Sequence, residues 1–298
     1  MADHAATGGH GVAALSEKII SMARKIGFLG AGQMATALAL GFLKGSNATC
    51  NQSGMVTKEQ LFASDAVAAS GERFAAATGA TLCKSNVELY ETVDVLFLAV
   101  KPQQMEDVLE EFSEREDCGQ KLFVTIAAGL SLFFYRRRLG DEVRIIRVMP
   151  NTPCLIGKGA SAFAATQAVT QDDLALVRSL LETVGVVEYV PEHQLDAVTG
   201  LSGSGPAFVC MMIEAMSDAG VRMGLPRAMA TNFAVQTLLG TAEMVMQTGE
   251  HPAVLKDRVT SPGGTTIAGV QALETHGFRA AVIAAIQAAT QRSMELGG

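Results

Sequence analysis

The chain has 298 residues, enough for one large domain or two of ordinary size. Hydrophobic residues make up 49% of it and the mean hydropathy is +0.27, so it can bury enough apolar surface to offset the entropy of folding, and disorder of the whole chain is excluded. A membrane-spanning helix is excluded too, because the longest apolar runs, Ala207–Ile213 and Ala280–Ile286, fall far short of the roughly 18 residues that one needs.

Charge and cysteine content exclude two further classes of protein. The formal net charge of −7 offers no general attraction to nucleic acid, and the longest basic run, Arg136–Arg138, is typical of a solvated helix face. The five cysteines are odd in number and widely spaced, with no Cys-x-x-Cys pair or Cys/His cluster, so neither a disulfide framework nor a metal site is predicted. Free thiols indicate a reducing compartment, and we expect a cytoplasmic protein.

The segment 1–24 precedes any periodic pattern. It is rich in small residues and lacks the apolar centre of a signal peptide. A mitochondrial transit peptide should be rich in arginine and poor in acidic residues, whereas this segment contains Asp3 and Glu17 and has its first arginine at Arg24. We predict a flexible extension over 1–24, with mitochondrial targeting as the alternative.

From residue 25 to residue 190, short apolar runs alternate with helical patterns. Such alternation builds parallel βαβ units, and Val95–Val100 is apolar throughout, as expected for a strand covered by helices on both faces. We predict an α/β domain with a doubly wound, mainly parallel sheet. The predicted strands are Lys25–Leu29, Gln60–Ser64, Val93–Val100, Lys121–Ile126, Arg144–Met149, Ser161–Ala164 and Val186–Val190, and the predicted helices are Met34–Lys44, Ala66–Thr78, Gln103–Phe112 and Asp172–Val184.

After Pro191 the strand-like runs disappear and long helical segments follow, so we predict an all-α domain over 191–298. Apolar residues cover most of the circumference of the first of these helices, which therefore has to be covered on several sides. Such a domain needs a partner to bury its surface. The predicted helices are Gly205–Met223, Arg227–Thr248, Thr265–Thr275 and Phe278–Leu296.

The segment Gly30-Ala-Gly-Gln-Met-Ala35 directly follows the first predicted strand and opens a helix. This is the Gly-x-Gly-x-x-Gly/Ala fingerprint of a Rossmann-like dinucleotide-binding domain. Gly30 allows the tight turn, Gly32 lets the backbone approach the pyrophosphate, and the helix N-terminus receives the phosphate charge. A glycine turn without a ligand is the alternative, which the strand–turn–helix context disfavours.

The residues after the second predicted strand face the adenosine ribose in such a fold. Asp65 either accepts the 2′-hydroxyl of NADH or caps a helix that starts at Ala66, and the sequence leaves both open. Ser64 is the candidate donor to the 2′-phosphate of NADPH, helped by Lys58 or Arg73.

Val100, Lys101 and Pro102 end the strand expected beside the topological switch point, where ligands bind. Pro102 can start the next helix. Lys101 is therefore a candidate ligand residue, and a strand-end charge that faces water is the alternative.

Ser261-Pro-Gly-Gly-Thr-Thr266 precedes a predicted helix in the second domain. Two glycines among small hydroxyl residues at a helix start form a nest of backbone N–H groups suited to a carboxylate. Ordinary capping by Ser261 or Thr265 is the alternative, but it would not require the double glycine. Gly203–Pro206 we interpret as a closely packed helix entry. No Ser-His-Asp order is supported and no paired carboxylates fall near the glycine loops, which suits hydride transfer, because the cofactor carries that chemistry.

These motifs together resemble one family, the pyrroline-5-carboxylate reductases, over residues 25–296. The most specific parts are Thr260–Ile267 and the helix start Ser202–Pro206, whereas the glycine fingerprint occurs in many dehydrogenases. The segments that carry the resemblance further are Ile26–Ala35, Ala99–Gln103, Arg147–Pro153, Thr199–Ala207, Met223–Pro226 and His251–Asp257.

The resemblance implies NADPH- or NADH-dependent reduction of the cyclic imine Δ1-pyrroline-5-carboxylate to L-proline, the last step of proline biosynthesis. It implies a homodimer with interleaved helical domains, in some relatives assembled into larger rings of dimers. It also implies a catalytic role for Thr266, bonded to the ring nitrogen. The residues implied to hold the substrate carboxylate are Ser261, Gly263, Gly264 and Thr265, and those implied to hold the nucleotide are Gly30, Ala31, Gly32, Gln33, Met34, Val100, Lys101, Pro102 and Asn151.

One departure and two alternatives accompany the resemblance. Many relatives carry Asn-Arg where this chain has Asp65-Ala66, which puts a strong NADPH preference in doubt. A β-hydroxyacid dehydrogenase would share both domains and use a lysine of the second one, where Lys256 is the candidate. A dinucleotide-binding regulatory module without turnover is the other alternative, and it would leave the Ser261–Thr266 nest without a purpose.

Overall fold

The structure is a computed structural model that describes residues 24–45, 55–115 and 117–297. The chain divides into two compact units. The first, here the sheet unit, ends at Gly203 and also includes the chain from Thr290 onward, while the second, here the helical unit, is Ser204–Ala289. The predicted extension over 1–24, apart from Arg24, lies outside the described residues, as does Cys50.

In the described residues one sheet contains the strands β1 (Ile26–Leu29), β2 (Leu61–Ser64), β3 (Thr81–Leu82), β4 (Val95–Leu98), β5 (Leu122–Thr125), β6 (Arg144–Met149), β7 (Gly159–Ala165) and β8 (Gly185–Tyr189). Their order is β3-β2-β1-β4-β5-β6-β7-β8. All neighbouring pairs are parallel except β6 and β7. The order reverses between β1 and β4, so the predicted α/β class with a doubly wound, mainly parallel sheet is confirmed.

Helices cover the sheet and form the helical unit. The α-helices of the sheet unit are α1 (Gln33–Lys44), α2 (Ala68–Thr78), α3 (Asn86–Thr92), α4 (Met105–Glu110), α5 (Leu132–Leu139), α6 (Gln171–Glu182) and α7 (Leu195–Val198). The later helices are α8 (Gly205–Arg222), α9 (Arg227–Thr248), α10 (Pro252–Arg258), α11 (Thr265–Thr275) and α12 (Phe278–Leu296). The bounds predicted for α9, α11 and α12 are confirmed.

Each strand of the sheet centre is buried on both faces. In β4, Val95 and Phe97 belong to one hydrophobic core, and Leu96 and Leu98 belong to the other. Phe97 stacks on Phe28 of β1, with 4.9 Å between the ring centroids. The continuous apolar run therefore supplies both cores in alternation, as expected for a strand with helices above and below.

Five short elements were not predicted, because each is too brief to show a periodicity. They are β3, α3, α5, α7 and α10. Ser85 caps α3 by accepting the N–H of Glu88, and α5 carries the basic triplet Arg136–Arg138 in its last turn, where cations meet the partial negative charge of the helix end. Short helices are thus held by caps and packing rather than by a long apolar stripe.

The sheet unit extends beyond the predicted domain boundary at residue 190. Leu195 is fully buried in the second core, and Arg147 of β6 lies 3.1 Å from the carboxylate of Glu192. Gly203 approaches Met149 so closely that a Cβ there would lie 2.5 Å from the methionine methyl group. These contacts hold 192–203 on the sheet, and the division into domains at 25–190 and 191–298 stays a prediction.

The helical unit leaves most of its apolar side chains exposed in the single chain. Its described residues bury Ser217, Ala230, Ala234 and Leu255 and no large aromatic ring. No described helix is both long and apolar enough to cross a bilayer.

Candidate nucleotide and substrate site

The turn after β1 requires glycine at its first position. Gly30 has a φ of +97°, and a Cβ built there would lie 2.8 Å from the carbonyl carbon and oxygen of Ala99. The close approach follows from sheet pairing, because β1 and β4 are neighbours and Ala99 N–H donates to the carbonyl oxygen of Leu29 at 2.8 Å. The turn after β1 and the residues that follow β4, Ala99 and Val100, therefore meet at one edge of the sheet.

The N-terminus of α1 is open for a phosphate. Gly32 is the N-cap residue, no side chain caps the helix, and a Cβ at Gly32 would meet nothing within 4 Å. Gln33 is exposed and Met34 is half-buried. Uncapped N–H groups and the positive end of the helix dipole favour an anion at this place. The residues present thus fit the pyrophosphate of a dinucleotide.

Asp65 joins the end of β2 to the glycine turn. Its Oδ2 accepts the N–H of Ala31 at 2.7 Å, and its Oδ1 accepts the N–H of Val67 at 2.8 Å. The following helix, α2, begins at Ala68 with Val67 as N-cap residue, two residues later than predicted. Capping a helix that starts at Ala66 is therefore not the role of Asp65. The sequence identified this carboxylate but not its bond to Ala31.

Ser64 is buried and turned toward α3. Its hydroxyl donates to Oδ1 of Asn86 at 2.9 Å, while its carbonyl oxygen accepts the N–H of Gly30 at 2.8 Å. Asn86 in turn donates to Glu111 at 2.7 Å. The engaged hydroxyl speaks against Ser64 as a donor to a 2′-phosphate, and a role for Ser64 in cofactor binding stays a prediction.

Val100, Lys101 and Pro102 follow the end of β4 at Leu98. Pro102 is the first residue of a 3-10 turn, Pro102–Gln104, and Lys101 is its exposed N-cap residue. The proline start is as expected. Contact of Lys101 with a nucleotide stays a prediction, beside the alternative that its charge faces water.

Asn151, predicted to hold the nucleotide, is buried and bonded within the sheet unit. Its Nδ2 donates to the carbonyl oxygen of Ser202 at 3.0 Å, and its Oδ1 accepts the N–H of Ala160 at 2.9 Å. The side chain thus ties the turn after β6 to the π-helical turn Thr199–Gly203. Its contact with a cofactor stays a prediction.

Arg147, a buried arginine of β6, was not predicted to have a role of its own. Arg147 of β6 lies 3.1 Å from Glu192 and 3.9 Å from Asp196, and Asp196 accepts the hydroxyl of Ser293 at 2.7 Å. The signal that could have found it is a charged residue inside an apolar strand run. This cluster anchors both 192–203 and the last turns of α12 on the sheet unit.

Two buried groups of the sheet unit, Tyr135 and Cys118, are held in their neutral forms. Burial raises the pKa of the Tyr135 hydroxyl and of the Cys118 thiol above their usual ranges, so both keep their protons at neutral pH. Among the residues that the structure describes, no three His, Cys, Asp or Glu side chains are grouped as a metal site. Neither group provides a reactive base or nucleophile near neutrality.

The Ser261–Thr266 segment is part of the helical unit. Gly263 has a φ of +68°, and a Cβ at Gly264 would lie 2.2 Å from the Oγ of Ser261. Gly264 is the N-cap residue of α11, and no side chain caps that helix. Capping by Ser261 or Thr265, the structural alternative, is therefore not observed. The first turn of α11 instead leaves its N–H groups open to an anion, with Thr266 half-buried beside them.

Comparisons with known proteins bear on both units. Residues 192–296 match the family model described as pyrroline-5-carboxylate reductase dimerisation, and residues 25–129 match the model described as NADP oxidoreductase coenzyme F420-dependent. The two matches fall on the two parts of the chain that the motifs separate.

Relatives are similar over nearly the whole chain. The pyrroline-5-carboxylate reductase of Methanosarcina acetivorans is 43% identical over 92% of this chain and 98% of its own length, and that of Escherichia coli is 42% identical over 92% and 99%. The Plasmodium falciparum pyrroline carboxylate reductase, solved with NADP bound, superposes with a TM-score of 0.81 at 34% identity over 92% of this chain and 98% of the other. This chain therefore belongs to the pyrroline-5-carboxylate reductase family.

Proposed function

We propose that this chain reduces Δ1-pyrroline-5-carboxylate to L-proline, with NADPH or NADH as the source of a hydride that reaches the protonated cyclic imine. The enzyme class, the reaction and the use of NAD(P)H are those of its family. One segment of the chain binds the cofactor and another binds the substrate.

The turn after β1 and the N-terminus of α1 hold the pyrophosphate. Gly30 allows the chain to turn against Ala99, and Gly32 leaves the backbone open to the ligand. Gln33 and Met34 offer N–H groups of the first helical turn, and Val100 borders the same edge of the sheet. NAD(P)H, when bound, supplies the hydride. The protein positions the cofactor and the imine and removes water from around them.

The Ser261–Thr266 segment holds the substrate. The open N–H groups at Gly264 and Thr265 receive its carboxylate, because a helix N-terminus carries a partial positive charge. The hydroxyl of Thr266 hydrogen-bonds the ring nitrogen and so orients the imine. A protonated imine is the better electrophile, and a hydroxyl that accepts its N–H bond stabilises that form.

The observation that supports this function most is that two helices, α1 and α11, begin at glycine N-cap residues, Gly32 and Gly264, with no side chain capping their N–H groups. One suits a diphosphate and the other a carboxylate, which are the anions that a nicotinamide cofactor and this substrate present. A regulatory module would need only the first.

Steady-state absorbance of the reduced nicotinamide tests the function. We expect NADH or NADPH to be oxidised when pyrroline-5-carboxylate is added, and proline to accumulate in equal amount. Oxidoreduction with a hydroxy acid, but none with the imine, would favour the β-hydroxyacid dehydrogenase alternative and a role for Lys256. Lys256 lies 2.9 Å from Asp257 within α10. Nucleotide binding without turnover on either substrate would favour the regulatory module.

The chain forms homo-oligomers through its dimerisation domain. We further propose that the helical domains of two copies interleave and that rings of dimers form, since the helical unit exposes apolar side chains on several helices. Sedimentation at micromolar concentration checks this, and a folded monomer alone would contradict it. A cytoplasmic location also stays a prediction, with mitochondrial targeting as its alternative.

A further inference from the structure

Asp65 is held by the backbone beside the pyrophosphate turn. Both of its oxygens accept main-chain N–H groups, Oδ2 from Ala31 at 2.7 Å and Oδ1 from Val67 at 2.8 Å. Ala31 is the central residue of the turn Gly30–Gly32. The fold therefore fixes the carboxylate directly against the turn that is proposed to hold the pyrophosphate.

The position of Asp65 in the sheet is that of a ribose ligand. It is the first residue after β2, and the end of β2 is bonded to the turn, because Gly30 N–H donates to the carbonyl oxygen of Ser64 at 2.8 Å. In doubly wound dinucleotide-binding domains the adenosine ribose lies beyond this strand end. An acidic residue there accepts the 2′-hydroxyl, whereas an arginine is needed to accommodate a 2′-phosphate.

The stretch of chain around Asp65 provides no cation of its own, and the two flanking cations are not directed at it by any observed bond. The sequence from Glu59 to Glu72 contains no lysine or arginine. Lys58 precedes β2 and so lies at the opposite end of that strand, and the guanidinium of Arg73 donates to the hydroxyl of Ser70 at 3.0 Å. A 2′-phosphate beside Asp65 would thus meet a fixed negative charge, while Arg73, the nearest cation along α2, is engaged with Ser70.

We propose that Asp65 is a specificity-determining residue that makes this reductase prefer NADH. Its carboxylate accepts the 2′-hydroxyl of NADH and repels the 2′-phosphate of NADPH. Like charges at contact distance in a partly exposed site weaken binding by about tenfold or more. The inference rests on the proposed function only in taking a dinucleotide as the hydride donor.

Binding without turnover tests the proposal. The chain contains no tryptophan, so the fluorescence of the nucleotide itself, or calorimetry, reports binding. We expect the Kd for NADH to be at least about tenfold lower than the Kd for NADPH, and 5′-ADP to compete better than 2′,5′-ADP. The ratio should shrink as ionic strength rises, because the discrimination is electrostatic.

Two variants and one control make the test specific. Asp65→Asn keeps an oxygen that can accept the N–H of Ala31 but removes the charge, and we expect tighter NADPH binding with a NADH-to-NADPH ratio within about threefold. Ala66→Arg leaves both bonds of Asp65 in place and adds a cation, so it should raise NADPH affinity about fivefold or more. Glu72→Gln, an exposed carboxylate on α2, should leave the ratio unchanged.

Equal affinity of the unaltered protein for the two nucleotides would overturn the proposal, as would an unchanged ratio in Asp65→Asn. If that variant fails to fold, Ala66→Arg decides alone, and its failure to improve NADPH binding would also count against the proposal. None of these titrations requires the imine, so a lack of turnover with pyrroline-5-carboxylate would refute the proposed function separately.

Discussion

The sheet unit buries all four residues of β1, β4 and β5, whereas the helical unit buries only Ser217, Ala230, Ala234 and Leu255 among its described residues. Both units are rich in apolar side chains. In the sheet unit they fill two cores, one on each face. In the helical unit they point outward along α8 to α12.

The difference shows which part of the protein is complete within one chain. Large exposed apolar surfaces on a stable protein mark an interface. The exposed large apolar side chains of the helical unit are Val209, Met211, Met216, Val221, Met223, Leu225, Met229, Phe233, Val235, Leu239, Met244, Met246, Val254, Val259, Ile267, Leu273, Phe278, Val282 and Ile283. The match of this region to a dimerisation domain agrees with that interpretation. We infer that a second copy completes the core of the helical unit.

The substitution with the largest expected effect lies in the helical unit. Phe233 in α9 is 59% exposed in the single chain. If a partner buries it, Phe233→Asp places an unpaired carboxylate from each copy in the interface and should weaken dimerisation by about 1000-fold or more. Sedimentation equilibrium measures the dimer Kd.

Phe133→Asp is the matched control for that variant. Phe133 in α5 of the sheet unit is 63% exposed, similar to Phe233. We expect it to leave the dimer Kd within about threefold of its original value, as for a surface substitution. Equal weakening by both substitutions, or by neither, would contradict the contrast between the units.

The second prediction asks whether the helical unit also contributes to the chemistry. Thr266→Ala should lower kcat/KM about 10- to 1000-fold if its hydroxyl stabilises the transition state. The control is Thr275→Ala, at the exposed end of the same helix. It should change kcat/KM by less than about twofold, because its hydroxyl donates only to the carbonyl oxygen of Gln271. Steady-state rates at varied imine concentration separate the two, and undiminished turnover in Thr266→Ala would remove the proposed catalytic role.

The third prediction separates folding from binding within the nucleotide turn. Gly30→Ala forces a side chain into a φ of +97° and against Ala99, so it should destabilise the protein by about 2 kcal/mol or more. At Gly32 the added methyl meets nothing, so Gly32→Ala should keep the thermal midpoint while weakening NADH binding about tenfold. Calorimetry of unfolding and of binding measures both effects. An unchanged NADH Kd in Gly32→Ala would count against the pyrophosphate site.

The mildest substitutions concern the anchor between β6 and residues 192–203. Arg147→Met leaves Glu192 and Asp196 without their cation and should cost about 1–2 kcal/mol, less than for a fully buried cluster because both carboxylates are partly exposed. Arg136→Met removes an exposed pair with Asp141 and should cost less than about 0.5 kcal/mol. Chemical denaturation of the assembled protein compares them, and equal free energies of unfolding would show that the buried anchor adds nothing.

Local patterns alone predicted much of this protein. A short apolar run predicted the strand before Gly30, two glycines predicted the turn, and an amphipathic stripe predicted the helix after it. All three patterns lie within about 20 residues. The helices α9, α11 and α12 were bounded correctly because prolines and glycines mark their ends. Short elements such as β3 and α3 were missed, since they carry too few residues for a period.

Tertiary contacts determine what single side chains do. Asp65 bonds Ala31 across 34 positions, Arg147 meets Glu192 across 45, and Asn151 reaches Ser202 across 51. Such contacts depend on which strands are neighbours and on where each strand ends, which no local period encodes. Residue patterns were enough to predict the fold class and the family, and they led to the proposal of two glycine-marked anion sites. Only the folded chain showed that Asp65 is bonded to the turn Gly30–Gly32. It also showed that the apolar side chains of the helical unit lie on the surface of the single chain. Burial and long-range hydrogen bonds are properties of the assembled sheet and helices, and so no local pattern could reveal them.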